Sequence, residues 1–397
     1  MIRTSKHILK YQTNSKTSIL ERIYSDYKLC LEHYIYLITL GQLPLKIFLS
    51  SKQLPEYSNI VRSHWKGLIY KQASEIIHSN LKKQKDNRFK KFKKVYAYFK
   101  SKNRQLIFTS KKYSELNLKS HLSYMKFDIE NISMNIDANI FDVLVVNKSK
   151  EFDEFIRLIS PYKENKHYVA INIPLNHHKH SLKFLKSGWN RKSTIQLSKI
   201  NNSFYFNLFY EAKAPEIKEI GNSIGLDCGY KKLIVTSDSQ FLGQELEQQY
   251  TKISRKKQGS KAFNRSLIER NKLINQYCNK LDLSNVNRLV VEDLKGVKSN
   301  SKGRIRKSFS NKLQRWSYLQ TLAKLERRCE ENGVYFQKVN PAYTSQVCSS
   351  CGTQDKSARK GEIYSCKVCG VVIDADYNAS INILHRGDYN PSTTKGV

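Results

Sequence analysis

Two segments of identical form, CSSCG at Cys348–Gly352 and CKVCG at Cys366–Gly370, stand near the end of the chain with fourteen residues between their cysteine pairs. Two CxxC pairs at this spacing can bring four thiolates around one zinc ion, and a glycine after each pair suits a tight knuckle closing on the metal. Cys348, Cys351, Cys366 and Cys369 therefore read as a zinc ribbon. A four-thiolate set leaves no open coordination position, so the zinc would be structural. A redox pair is the rival reading, and the matched knuckles argue against it. The other four cysteines, Cys30, Cys228, Cys278 and Cys329, stand alone. A disulfide framework would be expected to spread its cysteines differently, so metal is favoured over disulfides.

The chain has 397 residues and sets 69 Lys+Arg against 34 Asp+Glu, a formal net charge of +35. Such an excess repels itself unless a polyanion neutralises it, and nucleic acid is the commonest one. Hydrophobic residues make up 40% of the chain and aromatics 11%, which supplies real cores and argues against intrinsic disorder. The length suits two or three domains. The start, MIRTSKHILKYQTN, lacks the apolar core of a signal peptide. The most apolar window, Leu29 to Leu49, is broken by Glu32, His33, Pro44 and Lys46 and does not read as a membrane span. No basic amphipathic anchor or lipidation motif is evident, so a cytoplasmic protein is expected.

Apolar positions Leu20, Ile23, Tyr27, Leu31 and Tyr34 recur at helical spacing, and residues 16–49 and 57–99 read as helical. The end of the second stretch, LKKQKDNRFKKFKKVYAYFKSKNR, has Asp86 as its only acid. Phe89, Phe92, Tyr96 and Phe99 fit a core-facing stripe, whereas so many lysines on one face call for phosphates. From residue 120 to 211 the pattern turns to short β-like runs: FDVLVV, YVAINIP, STIQLSKI and SFYFNLFYEA. His177, His178 and His180 lie in its loop NHHKH; with no acid or cysteine adjacent, a polar loop is favoured over a metal site. After the linker-like KAPEIKEIGN come a strand (SIGLD), a turn, a strand (LIVTSD) and a long basic helical stretch over 244–281. A strand (RLVVEDL), a basic loop, a helix over 310–332, a strand (VYFQKV), the knuckles and a short helix (DYNASINILH) complete the order. This order predicts a mixed α/β sheet covered by helices.

Three acids fall at element ends: Asp227 closes SIGLD, Glu292 sits in LVVEDL, and Asp376 lies in DADYNAS before the last helix. A carboxylate at the end of a buried strand is costly unless it meets a cation or hydrogen-bond donors. Three of them from separate parts of one sheet can hold two Mg²⁺ ions about 3.5–4 Å apart, the arrangement that hydrolyses phosphodiesters. Hard divalent ions prefer such oxygen ligands. Singly the signals are weak: Asp376 could cap a helix and Glu292 could pair with a lysine. Asp293 and Asp374 are the nearest rivals for the second and third positions.

The segments IGLDCGYKKLIVTSD, LVVEDLKG, NPAYTSQVCSSCG, CKVCG and DADYNASINIL resemble the TnpB nucleases of bacterial insertion sequences, and equally the related compact type V CRISPR effectors. The resemblance is specific over residues 289–384, good around Asp227, and architectural before residue 215. It implies a multidomain α+β protein: an RNase H-like (RuvC) mixed α/β nuclease domain with an inserted zinc ribbon, preceded by a strand-rich, β-barrel-like wedge domain interrupted by a helical recognition domain. The implied bounds are 1–15 and 120–215 for the wedge, 16–119 for the recognition domain, 216–345 and 374–397 for the nuclease, and 346–373 for the target-nucleic-acid-binding ribbon.

In that family the acid two residues before the Asn-Ala pair is the ligand, which selects Asp376 over Asp374. The resemblance thus implies Asp227, Glu292 and Asp376 as catalytic Mg²⁺ ligands, zinc on the four cysteines, and guide RNA and double-stranded DNA as partners. The implied activity is Mg-dependent, RNA-guided DNA cleavage beside a short protein-read motif, by an insertion-sequence protein of the prokaryotic nucleoid. Base pairing would supply sequence specificity while the protein holds the heteroduplex backbone. Lys90, Lys91, Lys93, Lys94 and Arg104, with Arg304, Arg306 and Lys307 in the loop KSNSKGRIRK, are the candidate phosphate contacts; Lys356, Arg359, Lys360 and Lys367 decorate the ribbon. The stretch between Asp227 and Glu292 is shorter than is usual in the family, and the N-terminal part is longer than in the shortest TnpB proteins. A compact CRISPR effector therefore stays as one alternative. An unguided nuclease and a non-catalytic zinc-ribbon nucleic-acid-binding protein or guided repressor are the others.

Overall fold

A computed structural model describes residues 1–10, 12–57, 60–101, 129–145, 151–186, 188–294 and 317–388, the side chains of 83–101 excepted. The chain divides into two compact units, Met1–Ala212 and Lys213–Val397.

The first unit begins with β1 (Ile2–Ile8), α1 (Asn14–Thr39) and α2 (Ser63–Ser101). Thr13 caps α1 by accepting the Lys16 N–H at 3.3 Å. The helical spacing read from sequence is the buried face of α1: Leu20, Ile23, Tyr27, Leu31 and Tyr34 are all interior. There follow β2 (Met134–Asp137), β3 (Phe141–Val145), β4 (Glu154–Glu164), β5 (His167–Leu175), β6 (Asn190–Ile200) and β7 (Ser203–Glu211). They form an antiparallel sheet of order β1-β7-β6-β2 and a second of order β3-β4-β5, with no closed barrel among the described residues.

Three strands escape the alternation reading, β1, β2 and β4. Strand β4 carries Pro161, which has no N–H to give the ladder, and its pairing with β5 is interrupted between Ile159 and Lys163. Helices and sheets share one core, since Trp65 of α2 donates its indole N–H to the Ile159 carbonyl at 3.1 Å and Tyr162 of β4 donates to Asp26 of α1 at 2.7 Å. The NHHKH loop is tied down by hydrogen bonds: His178 Nε2 lies 3.0 Å from the Lys6 carbonyl and its Nδ1 accepts the Ser181 N–H. Of the basic residues singled out above, Lys90, Lys91, Lys93 and Lys94 fall where only the backbone of α2 is described. Arg104, Arg304, Arg306 and Lys307 lie outside the described residues.

The second unit runs β8 (Asn222–Asp227), β9 (Ile234–Thr236), β10 (Phe241–Leu242), α3 (Leu246–Ser254), α4 (Lys261–Lys280), β11 (Val286–Glu292), α5 (Tyr318–Asn332) and β12 (Tyr335–Val339). The small strands β13 (Arg359–Lys360), β14 (Ile363–Ser365) and β15 (Val372–Asp374) follow, then α6 (Ala375–Asp388). The basic stretch expected to be helical over 244–281 is two helices. They part at Arg255–Ser260, where Gly259 takes φ +81° and Ser260 accepts the Phe263 N–H to start α4.

The main sheet has the order β10-β9-β8-β11-β12. Strands β8, β9 and β10 pair antiparallel, while β11 and β12 join parallel to β8. Counted along the chain this is 3-2-1-4-5, the RNase H-like order. The run Leu289-Val290-Val291 is apolar throughout because both faces are covered. Leu289 and Val291 pack in the core with α3, α4 and α5, while Val290 meets Ile383 of α6 on the other side. Helix α6 lies directly on β8 at Gly225, where an added Cβ would come 2.1 Å from the Ser380 carbonyl and 2.6 Å from the Leu384 nitrogen. Only glycine permits that approach, and it fixes how the start of α6 meets the end of β8.

Candidate active site and metal centre

Asp227 is the last residue of β8 and Glu292 the last of β11. The two strands run parallel in a register that pairs Leu226 with Val291, so the carboxylates stand side by side at the carboxyl ends of adjacent strands. Ligands of open α/β sheets collect at such ends. Asp376 enters from the first turn of α6, brought over β8 by the Gly225 contact. A cavity of about 310 Å³ opens here, lined by Asp227, Cys228, Tyr230, Arg359, Glu362 and Asp376 among others.

Electrostatics mark the three acids as one cluster. Burial raises the Asp227 pKa well above the usual carboxylate range, and the charges of Glu292 and Asp376 raise it further against an opposing Arg359. Burial also raises Glu292, while the Thr344 side chain and the Arg386 charge pull it down. Like charges gathered away from water demand a cation. Two side chains supply positive charge within the protein. Arg359 Nη2 donates to Asp376 Oδ1 at 2.7 Å, and the buried Lys232 Nζ pairs with Asp374 and lies 4.0 Å from Asp376 Oδ2 and 3.9 Å from Glu362 Oε2. Glu292 in turn accepts from the Thr344 hydroxyl.

The rival acids have other partners. Asp374 Oδ1 accepts the N–H groups of Asp376 and Tyr377, both at 3.0 Å, so it caps α6 while its second oxygen takes Lys232. Asp293 lies one residue past β11, where strand alternation turns its side chain to the opposite face from Glu292. A set of hard oxygen donors, in which two acids raise the affinity of Asp227 for positive charge, fits Mg²⁺. The carboxylates converge more loosely than the cysteines, which among the described residues are the group whose ligand atoms all lie within 4.8 Å of one another.

At the cysteines the two knuckles repeat bond for bond. Gly352 N–H donates to the Cys348 carbonyl at 2.9 Å and Gly370 N–H to the Cys366 carbonyl at 3.0 Å, with the glycines at φ +75° and +76°. Cys348 N–H reaches the Thr353 carbonyl and Cys366 N–H the Val371 carbonyl, both at 2.9 Å. The Sγ atoms of Cys348 and Cys369, and those of Cys351 and Cys366, are 3.6 Å apart. Four thiolates at about 2.3 Å from a zinc ion would sit at nearly that separation. Cys351 is lowered to about 6, first by the Thr353 hydroxyl and then by its backbone N–H. Backbone N–H groups of Cys369 and Val368 likewise lower Cys366. Both shifts favour the thiolates that a metal needs.

The ribbon is clamped to α6 by two asparagines one turn apart. Asn378 donates to the Val347 carbonyl at 2.8 Å and accepts the Ser349 N–H at 2.9 Å. Asn382 donates to the carbonyls of Thr344 and Val347 at 2.9 and 2.7 Å. These asparagines, with Thr344 and Lys232, are site residues that the sequence reading passed over. Their one local signal is the pair of asparagines at i, i+4 in the last helix.

An RNase H-like sheet with two acids at its strand ends, a third in the first turn of α6 and a four-cysteine ribbon beside them defines the RuvC-type, zinc-ribbon-bearing class. The comparisons with known proteins narrow it. Residues 318–383 match the family model described as Cas12f1-like, TNB domain. The chain is 44% identical over 80 residues to the CRISPR-associated endodeoxyribonuclease Cas12f1 of Sulfoacidibacillus thermotolerans, covering 20% of this chain and 19% of that one. It is 28% identical over 102 residues to a TnpB-like protein of Methanocaldococcus jannaschii (25% and 35%) and 34% identical over 97 residues to one of Aquifex aeolicus (24% and 31%). The matched segments thus span a fifth to about a third of these relatives. Among solved structures, CasPhi-2 (Cas12j) bound to crRNA and phosphorothioate-DNA shares the fold with a TM-score of 0.55 at 11% identity, over all of this chain and 93% of that one. The mini-RNA-guided endonuclease CRISPR-Cas_phi3 does so at 0.51 and 11%, over 97% and 92%. Over these segments the chain is similar to TnpB proteins and compact type V CRISPR effectors.

Proposed function

We propose that this chain is an RNA-guided DNA endonuclease that cuts double-stranded DNA beside a short protein-read motif at a single RuvC-type site, in association with an insertion sequence. The observation that carries the reading is the meeting of Asp227 and Asp376 in one cavity, with Glu292 at the end of the adjacent strand and the titration of Asp227 raised by the other two. The relatives named as endodeoxyribonucleases support it, as does a fold neighbour solved with crRNA and phosphorothioate-DNA. The net charge of +35 fits two polyanionic partners. No helix among the described residues is long and apolar enough to cross a membrane. The division of the first unit into wedge and helical recognition domains, and a nucleoid location, belong to this proposal.

Asp227, Glu292 and Asp376 would hold Mg²⁺, which when bound supplies an activated water and charge on the leaving oxygen of a phosphodiester. The chain's own groups then have distinct tasks. The Thr344 hydroxyl holds the Glu292 carboxylate in one orientation. Asp374 and Lys232 fix the first turn of α6 and hence Asp376. Arg359, at the cavity wall, is placed to donate to phosphate oxygens, for which a guanidinium fork is well matched. The paired cysteines would hold a structural zinc, which would keep the Arg359 hairpin in place.

The test is cleavage by the full-length protein purified with its co-purifying RNA, in Mg²⁺, against the Asp227→Ala variant. The variant is expected to bind RNA and DNA like the parent and to cut at least about 10³-fold more slowly, since a metal ligand carries several kcal/mol of transition-state stabilisation. Equal cutting by the two proteins would remove the assignment. A single RNA transcribed beside its own gene favours the transposon association, and RNAs with a common repeat and varied spacers the CRISPR one.

A further inference from the structure

In the second unit, the large aromatic side chains left exposed among the described residues are Phe241 and Tyr343, at 38% and 55%. Each is tied to the carboxylate site, Phe241 by a ring contact and Tyr343 by its place in the chain. Phe241 lies against Tyr377, the residue after Asp376, with ring centroids 6.1 Å apart, and Lys232 Nζ sits 5.6 Å over its ring. Tyr343 immediately precedes Thr344, whose hydroxyl donates to Glu292. One aromatic therefore flanks the Asp376 side and the other the Glu292 side.

Tyr343 carries a second mark. Its φ is +65°, a left-handed conformation that costs free energy for any residue with a Cβ and that glycine would adopt freely. The surrounding loop is built to impose it. Arg386 donates to the carbonyls of Asn340 (2.7 Å) and Ala342, Asn340 Oδ1 accepts the Ala342 N–H at 3.0 Å, and Asn382 takes the Thr344 carbonyl from the other side. A bulky, exposed ring held at a strained position by the hydrogen bonds of its loop contributes little to the core. Strain maintained at such a point is a signature of function.

We infer that Phe241 and Tyr343 are stacking platforms for unpaired bases, which grip a single nucleic-acid strand on either side of the carboxylates. Rings serve this purpose because every base has a π-face, so the grip is independent of sequence. Arg359 at the cavity wall supplies nearby positive charge for the backbone of the same strand. The inference rests on the proposed nuclease reading for the purpose of the grip, and its own test reads binding and not cutting.

The experiment uses the full-length Asp227→Ala protein and measures its dissociation constant for a fluorescein-labelled oligothymidine strand, with a duplex of equal length as control. Adding Tyr343→Gly is expected to weaken single-strand binding about 5- to 150-fold, the range that one stacked base supports. Duplex binding and melting temperature should hold or, for the melting temperature, rise as the backbone strain is relieved. Tyr343→Phe should bind like the parent, and Phe241→Ala should weaken the single strand as Tyr343→Gly does. Unchanged single-strand affinity in Tyr343→Gly and Phe241→Ala overturns the inference, as does an equal loss in Tyr343→Phe. Absence of Mg²⁺-dependent cutting by the parent, with single-strand binding still sensitive to Tyr343, would remove the nuclease reading and leave the platforms standing.

Discussion

Arg359, on the first strand of the zinc ribbon, donates to Asp376 Oδ1 at 2.7 Å, although Asp376 belongs to the helix that leaves the ribbon seventeen residues later. The four-cysteine insert is thus part of the wall of the carboxylate site. Glu362 of the same hairpin extends the contact to Lys231 at 2.7 Å, in the turn that follows Asp227. Loss of order in the ribbon is therefore felt at carboxylates that no cysteine touches.

Cys348→Ala, or a strong chelator, should take zinc from one ion per chain to none, read by elemental analysis. Because Arg359 and the Asn378 and Asn382 clamps then lose their anchor, cutting should fall about 10- to 100-fold, the usual cost of disturbing groups around a metal site. Unchanged zinc in Cys348→Ala would rule out the four-thiolate centre.

Gly225→Ala places a methyl group where the Ser380 carbonyl is 2.1 Å away. Neither backbone can yield locally, so α6 must lift from β8. We expect a stability loss of about 1–3 kcal/mol or more, seen as an earlier urea midpoint, with a drop in cutting as Asp376 moves from Asp227.

Thr344→Val keeps the shape of the side chain and removes the donor to Glu292. The Mg²⁺ concentration needed for half-maximal cutting should rise about 10- to 100-fold, with the melting temperature nearly unchanged. A fall in cutting with no change in Mg²⁺ dependence would assign Thr344 to packing.

His7 gives the first unit an acid-sensitive element. Burial lowers its pKa to about 4, reinforced by the charges of His178, His177 and Arg191 against the hydrogen bond to the Asn176 carbonyl. The folded-state value lies below that of free imidazole, so the unfolded chain takes up the proton first as pH falls. The contribution to stability is complete above about pH 6.5 and is lost progressively towards pH 4. Urea titrations should show the first unit losing about 1–2 kcal/mol between about pH 7 and pH 5, and His7→Gln should flatten that dependence.

Much of the architecture is legible locally. The Leu20-to-Tyr34 spacing is a buried helix face, and LVV is a strand covered on both sides, because burial imposes its period directly on the order of residues. The CxxCG repeats carry their own geometry, since glycine after each pair permits the positive φ that closes a knuckle. Strand β4 was hidden because Pro161 interrupts its alternation, and the β4–β5 irregularity accommodates it. The basic stretch after Gln244 kept one helical period across a break that Gly259 and Ser260 introduce.

The sequence by itself determined the chemistry on offer: four thiolates in two knuckles, a surplus of cations, and acids at the ends of apolar runs. Resemblance favoured Asp376 over Asp374, but the physical division of labour between them is a tertiary fact. Lys232, 142 residues away, draws Asp374 into a cap, while Arg359 and the cavity take Asp376. Thr344 meets Glu292 across 52 residues in the same way. Such contacts leave no period in the chain. Local patterns record which face of an element is buried, whereas the partner of a single polar group is set by which distant elements the core packs together.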